Sequence, residues 1–114
     1  MDNNYAEAFE AAFKTFMEGV ANISNTYYGE QYPNLEPSTF AFKPGRKYAK
    51  VMVTTQPGGA TSVHCFVDRT NGDVLKPAGW NAPAKHARGN IFDDNNGLGS
   101  MGPYGPAYLK GGGR

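Results

Sequence analysis

Apolar positions along the chain follow first a helical rhythm and then a strand rhythm. Tyr5, Phe9, Phe13, Phe16, Met17 and Val20 recur three or four residues apart, with Ala8 and Ala12 between them. That spacing predicts an amphipathic helix over residues 4–21. Asp2, Asn3 or Asn4 can cap its first turn. Glu7 and Glu10 stand near its start, where the helix dipole favours negative charge. Gly19 and Asn22 weaken its far end. An aromatic stripe of this kind builds a core, or, because it is large for so small a chain, a dimer interface.

Residues 23–45 hold Pro33, Pro37 and Pro44 together with Tyr27, Tyr28 and Tyr32. They predict a wrapping loop with a short strand at Phe40–Phe42. From residue 46 to 56 the pattern alternates, with Ala49, Val51 and Val53 on one side and Tyr48, Lys50 and Met52 on the other, as in a half-buried strand. Pro57-Gly58-Gly59 makes a turn. Residues 60–69 alternate again, setting Val63, Cys65 and Val67 against His64, Phe66 and Asp68. Pairing Gln56 with Ala60 brings Val53 opposite Val63 and Val51 opposite Cys65, so the apolar faces agree, and agreement of faces fixes register. Asn71-Gly72 is a hairpin signal. A three-residue loop, Thr70-Asn71-Gly72, pairs Val67 with Leu75 and leaves Gly72 to take the left-handed conformation.

These segments predict a three-stranded antiparallel meander. One face carries Val51, Val53, Val63, Cys65, Val67 and Leu75 and packs on the helix; the other carries Tyr48, Lys50, Met52, His64, Phe66 and Lys76. Pro77 ends the third strand. Asn81, Pro83 and Gly89 suit the start and stop of a short helix bearing Lys85, His86 and Arg88. Ile91-Phe92 adds a short strand or plugs the core. From Gly97 onward the glycine density predicts a mobile tail unless a partner orders it. The expected fold is α+β, one helix packed on a three- to five-stranded antiparallel sheet, with a single domain over 1–96 and a Gly-rich tail over 97–114.

Composition narrows the class. A chain of 114 residues with 39% hydrophobic and 18% charged residues is apolar enough to fold and long enough for one modest core. Its net charge of +1 hides an asymmetry. Residues 1–42 carry one base, Lys14, and six acids, whereas residues 43–92 carry eight bases and only Asp68 and Asp73. Such halves pack on each other or on a second copy, or present a face to a polyanion. Cys65 is the one cysteine, so no intramolecular disulfide forms and no zinc spacing exists. No apolar run reaches the roughly 20 residues of a membrane-spanning helix. The acidic, polar start Met1-Asp2-Asn3-Asn4 lacks a signal peptide's basic and apolar regions, so a cytoplasmic location is expected.

The string SVHCFVDRTNGDVLKPAGWNAPAKHARGN, Ser62–Asn90, resembles a family of small uncharacterised proteins of tailed bacteriophages. The matching positions are Ser62-Val63-His64, Phe66-Val67, Gly72-Asp73-Val74, Lys76-Pro77-Ala78, Trp80, Pro83-Ala84-Lys85 and Ala87-Arg88-Gly89-Asn90. The strand Arg46–Thr54 fits the same pattern, so the resemblance covers about residues 44–92. It implies a phage source, with the infected bacterial cytoplasm as the place of action, and it implies no activity.

Candidate chemistry centres on the sheet face away from the helix. Tyr48 and Phe66 beside Lys50, His64 and Lys76 resemble the sheet surfaces that stack bases and hold phosphates of single-stranded nucleic acid. Arg46, Lys47, Lys85, His86 and Arg88 extend the basic track, and Trp80 stacks on the ligand or anchors the rim. The alternative is that residues 76–92 cover this face, with Trp80 packed on Phe66 or Met52. A small nucleotide or host signal, held by Lys85 and Arg88 at the helix start between subunits, is a second possibility. A protein-binding or structural assembly module is a third. Neighbouring strand residues His64 and Cys65 point to opposite faces, which argues against a thiolate–imidazole pair. Asp93-Asp94-Asn95-Asn96-Gly97 lacks the EF-hand spacing and reads as a polar turn. The expectation is a non-enzymatic homo-oligomer without cofactor or metal, binding a polyanion, single-stranded nucleic acid first.

Overall fold

The computed structural model describes residues 3–55 and 59–106. Helix α1 spans Asn3–Gln31 and is followed by strands β1 (Thr39–Pro44), β2 (Tyr48–Thr54), β3 (Thr61–Asp68), β4 (Asp73–Gly79) and β5 (Ala82–Asn90). All five pair antiparallel with their sequence neighbours, in the order β1-β2-β3-β4-β5. A small hairpin, β6 (Met101–Gly102) with β7 (Gly105–Pro106), completes the fold. The expected α+β architecture is present, with one helix against a five-stranded meander. No helix among the described residues is long and apolar enough to cross a membrane.

The helix runs ten residues beyond its expected end at residue 21, because its stripe continues. Val20 and Ser24 are fully buried and Ile23 packs against the core. The Ser24 hydroxyl donates to the Pro103 carbonyl at 2.6 Å. The Asn25 side chain accepts from the Ser38 amide at 2.8 Å and donates to its carbonyl at 3.1 Å. Tertiary contacts outweigh the roughly 1 kcal/mol that a mid-helix glycine costs. Pro33 follows, a residue type that disfavours helical geometry just before it. The expected cap at Asp2 lies outside the described residues; Asn3 and Asn4 are both within the helix.

Phe13, Phe16 and Val20 of α1 meet Ala49, Val51, Cys65, Val67 and Val74 of the sheet, and Ile91 and Met101 close the cluster. Burying each large apolar side chain contributes about 1.5–3 kcal/mol. Val51 pairs with Cys65 as expected, but nearer the turn the register shifts by one: Met52 pairs with Val63 and Val53 with Ser62. Thr55 donates to the Ala60 carbonyl at 3.4 Å, and the expected Gln56–Ala60 pairing and most of the Pro57-Gly58-Gly59 turn lie outside the described residues. The irregularity between Val51 and Met52 leaves His64 as the extra residue of a bulge. Val63 is thereby only half-buried, while the His64 ring lies against Phe40 at 5.1 Å.

The next hairpin also differs. Val67 pairs with Val74 and Phe66 with Leu75, so the loop holds four residues, Arg69–Gly72, instead of three. Asp68 sets it: its carboxylate accepts from the Thr70 amide at 2.8 Å and the Thr70 hydroxyl at 2.6 Å, and its carbonyl accepts from the Gly72 amide at 2.7 Å. Gly72 has φ +86°, the left-handed conformation expected of it. Leu75 therefore lies on the face of Phe66, not on the helix face.

Pro77 does not end β4, and Asn81–Gly89 forms no helix. Residues 82–90 are strand β5, joined to β4 through Trp80 and Asn81. Pro77 stands opposite Pro83 between two of the three irregularities in this ladder, where neither residue has an amide to give. Ile91 is fully buried and Phe92 packs on Tyr5 and Phe9. The polar turn that follows is closed by the Asp93 carboxylate, which accepts from the amides of Asn95 and Gly97, both at 2.9 Å. The expected tail boundary at residue 97 moves too: Leu98 and Met101 pack on the core, and Gly105 and Pro106 are buried. Residues 107–114 lie outside the described residues.

Candidate functional site

The β1–β2 hairpin turns on Gly45, whose amide donates to the Tyr48 carbonyl at 2.8 Å, leaving Arg46 and Lys47 at the tip. Register then places Lys43 directly opposite Lys50, and Lys50 opposite Phe66. Residues paired across strands share a face, so two lysines and a phenylalanine form one row over three strands. A groove of about 320 Å³ opens here. Lys43, Arg46, Lys47 and Lys50 line it, Tyr48 and Phe66 form its aromatic wall, and no acid takes part. Among the described residues none of these four cations pairs with a carboxylate.

Neutral partners hold the groove in shape. The Lys50 ammonium donates to Asn81 Oδ1 at 2.6 Å and lies 4.7 Å from the centre of the Trp80 ring. Lys47 Nζ lies 5.4 Å from the Tyr48 ring, which meets Phe66 edge-on at 6.1 Å. The tip is pinned by the first residue of the loop after β3: the Arg69 amide donates to the Lys47 carbonyl at 2.7 Å and its guanidinium to the Gly45 carbonyl. Phe66 is 3% exposed and floors the groove, whereas Trp80 is 51% exposed beside it. Like charges set directly across a ladder destabilise it; an anion in the groove would relieve that repulsion.

Of the residues expected to act together, the structure gathers Arg46, Lys47, Tyr48, Lys50 and Phe66, with Trp80 joined to them through Lys50. Residues 76–90 join the sheet through β4 and β5, and the turn between them reaches over this face, where Asn81 and Trp80 both meet the Lys50 side chain. His64 is not on this face as expected. The bulge buries it, and its Nε2 has no hydrogen-bond partner. Lys76 is also elsewhere, its ammonium donating to the Pro106 carbonyl at 3.0 Å. Lys85, His86 and Arg88 lie on β5 and do not line the groove; Arg88 donates to the His86 carbonyl at 2.7 Å. Lys43 and Asn81 are the additions. Extending the Phe40–Phe42 strand into pairing with β2 would have revealed Lys43, whereas Asn81 looked like a helix cap.

Burial, with Lys76 adding a smaller effect, lowers the His64 pKa to about 4, so the ring is neutral near pH 7. Burial also pushes the Cys65 thiol far above its ordinary value, which keeps it from acting as a thiolate nucleophile. No group of three His, Cys, Asp or Glu side chains among the described residues is placed to hold a metal ion.

A family model described as a family of unknown function, DUF7717, matches residues 3–102. The chain belongs to this family. The DUF7717 match runs from the start of α1 through β6, so the whole groove, from Lys43 to Asn81, lies within it. No match was found among curated proteins or among solved structures.

Proposed function

We propose that this protein is a non-enzymatic accessory protein of a tailed bacteriophage, acting in the cytoplasm of the infected host, that binds a polyanion through the β1–β2 groove. Single-stranded nucleic acid is the foremost ligand. The observation that carries this reading is the Lys43–Lys50 pair, two lysines face to face with Arg46 and Lys47 beside them and no acid lining the groove. Such a site favours phosphates. Trp80, half exposed at the rim, offers a base a stacking surface. The row of cations leading to an open aromatic suits an extended chain.

A single nucleotide is the second reading, supported by the groove's volume of about 320 Å³, near the lower end of small-molecule pockets. Fluorescence anisotropy of labelled single-stranded DNA and RNA of increasing length, at low and moderate salt, separates the two. Affinity that grows with length and falls steeply with salt supports the strand reading. Saturation by a mononucleotide, with no gain from added length, replaces it with the nucleotide reading. Absence of binding at low salt overturns both.

A further inference from the structure

β1 is an edge strand, and beside it, between the edge and the first half of α1, lies a cleft of about 750 Å³ walled by Phe9, Phe13, Met17, Phe40 and Phe42. Phe42 is 48% exposed even though its ring meets Phe13 at 4.9 Å. Natural edges are usually blunted by bulges, charges or cover. β1 pairs with β2 without a bulge, and most of its residues are exposed. A free edge beside an apolar cleft accepts an added strand, whose backbone extends the ladder while alternate side chains enter the cleft.

We infer that the added strand is β1 of a second copy, antiparallel about a two-fold axis at Ala41. The Gly45 amide bond to Tyr48 sets the alternation of the β1–β2 ladder. Lys43, Ala41 and Thr39 turn their backbone groups toward β2, and Phe40, Phe42 and Pro44 turn theirs outward. Pro44, which lacks an amide, thus faces the free side without loss. With Ala41 on the axis, Phe40 stands opposite Phe42 of the second copy and the reverse, so both pairs exchange backbone hydrogen bonds. All four phenylalanines then lie on the helix side and join the two clefts. On the other side the small Ala41 side chains meet at the axis, where the strands approach most closely. The cleft lining carries Glu10 together with Lys14 and Arg69, so a symmetric partner brings both signs of charge to both. The ten-stranded sheet places two basic grooves on one face, the Lys43 residues offset by about 13 Å along the strands. This pairing does not depend on what the groove binds.

Sedimentation of the protein without nucleic acid tests the dimer, and a cysteine at the axis tests its register. The wild type sediments at twice the 12.3 kDa chain mass, and Phe42→Asp sediments as a monomer with an unchanged circular dichroism spectrum. Ala41→Cys, at a non-hydrogen-bonded pair with Cα atoms about 4.5 Å apart, forms a disulfide-linked dimer on mild oxidation, and Lys43→Cys does not. A wild type that is monomeric at every concentration tried, or Ala41→Cys that fails to cross-link, overturns the proposal.

Discussion

Leu98 occupies the space that a side chain at position 19 would need: a Cβ on Gly19 would lie 2.3 Å from Leu98 Cδ1 and 3.2 Å from its Cγ. The glycine therefore serves as the seat for the segment that follows β5, at the expense of local helix propensity. Gly19→Leu is expected to lower stability by about 1–3 kcal/mol through overpacking, measured by urea denaturation. In a Leu98→Ala background the same substitution should cost less. An equal loss in both backgrounds would show that Leu98 is not the obstacle.

Ser24 anchors the opposite end of that segment through its bond to the Pro103 carbonyl. Ser24→Ala removes the donor and is expected to cost about 1–3 kcal/mol, the range for stranding a buried polar group. Hydrogen exchange should quicken first in residues 101–106, before the sheet is affected. Uniform acceleration throughout the chain would assign Ser24 a role in the core at large.

Acid should weaken the fold through His64. The folded pKa is about 4 and the ordinary value 6.5, so on acidification the unfolded chain takes up the proton first. The favourable contribution is complete above about pH 6.5, declines as the pH falls toward about 4 and levels off below that, with a total on the order of 3 kcal/mol. Urea midpoints at about pH 7 and about pH 4.5 measure the loss. His64→Leu, which leaves no buried imidazole to protonate, should flatten that part of the profile. An identical decline in the variant would place the acid sensitivity in the carboxylates.

Substitutions in the groove should rank by position. Lys43→Ala and Lys50→Ala are each expected to weaken single-strand binding several-fold and to reduce the salt slope by about 0.7. Trp80→Ala should cost about 1–3 kcal/mol of binding with little change in that slope. Lys85→Ala and Arg88→Ala should change affinity far less. Anisotropy titrations give all five values, and the reverse ranking would move the site to β5.

The helix, the meander and the hairpin at Asn71-Gly72 were legible in the periodicity because each rests on local pattern. What escaped depends on distant partners. Nothing near Gly19 signals that Leu98 packs there, so the helix looked shorter than it is. The bulge that turns His64 inward inserts one residue into an otherwise regular alternation, and alternation alone assigned it to the wrong face. The Pro77–Pro83 pair looks like a strand terminator until β5 is known to carry a proline opposite. The groove was half legible: Arg46, Tyr48, Lys50 and Phe66 follow from strand alternation, but Lys43 needs the β1–β2 register and Asn81 needs the β4–β5 turn. Charge and sequence proximity point to Lys85, His86 and Arg88, but neither fixes position in space.

The order of the sheet also shapes how the chain assembles as it is made. Every strand of the five-stranded sheet pairs with its neighbour in sequence, so each hairpin can close as soon as its second strand leaves the ribosome. The helix emerges first, yet its aromatic stripe is covered only when β2, β3 and β4 are in place and Ile91, Leu98 and Met101 arrive from the far end. During synthesis Phe13 and Phe16 therefore wait, uncovered, until the partners from Ala49 to Met101 have followed.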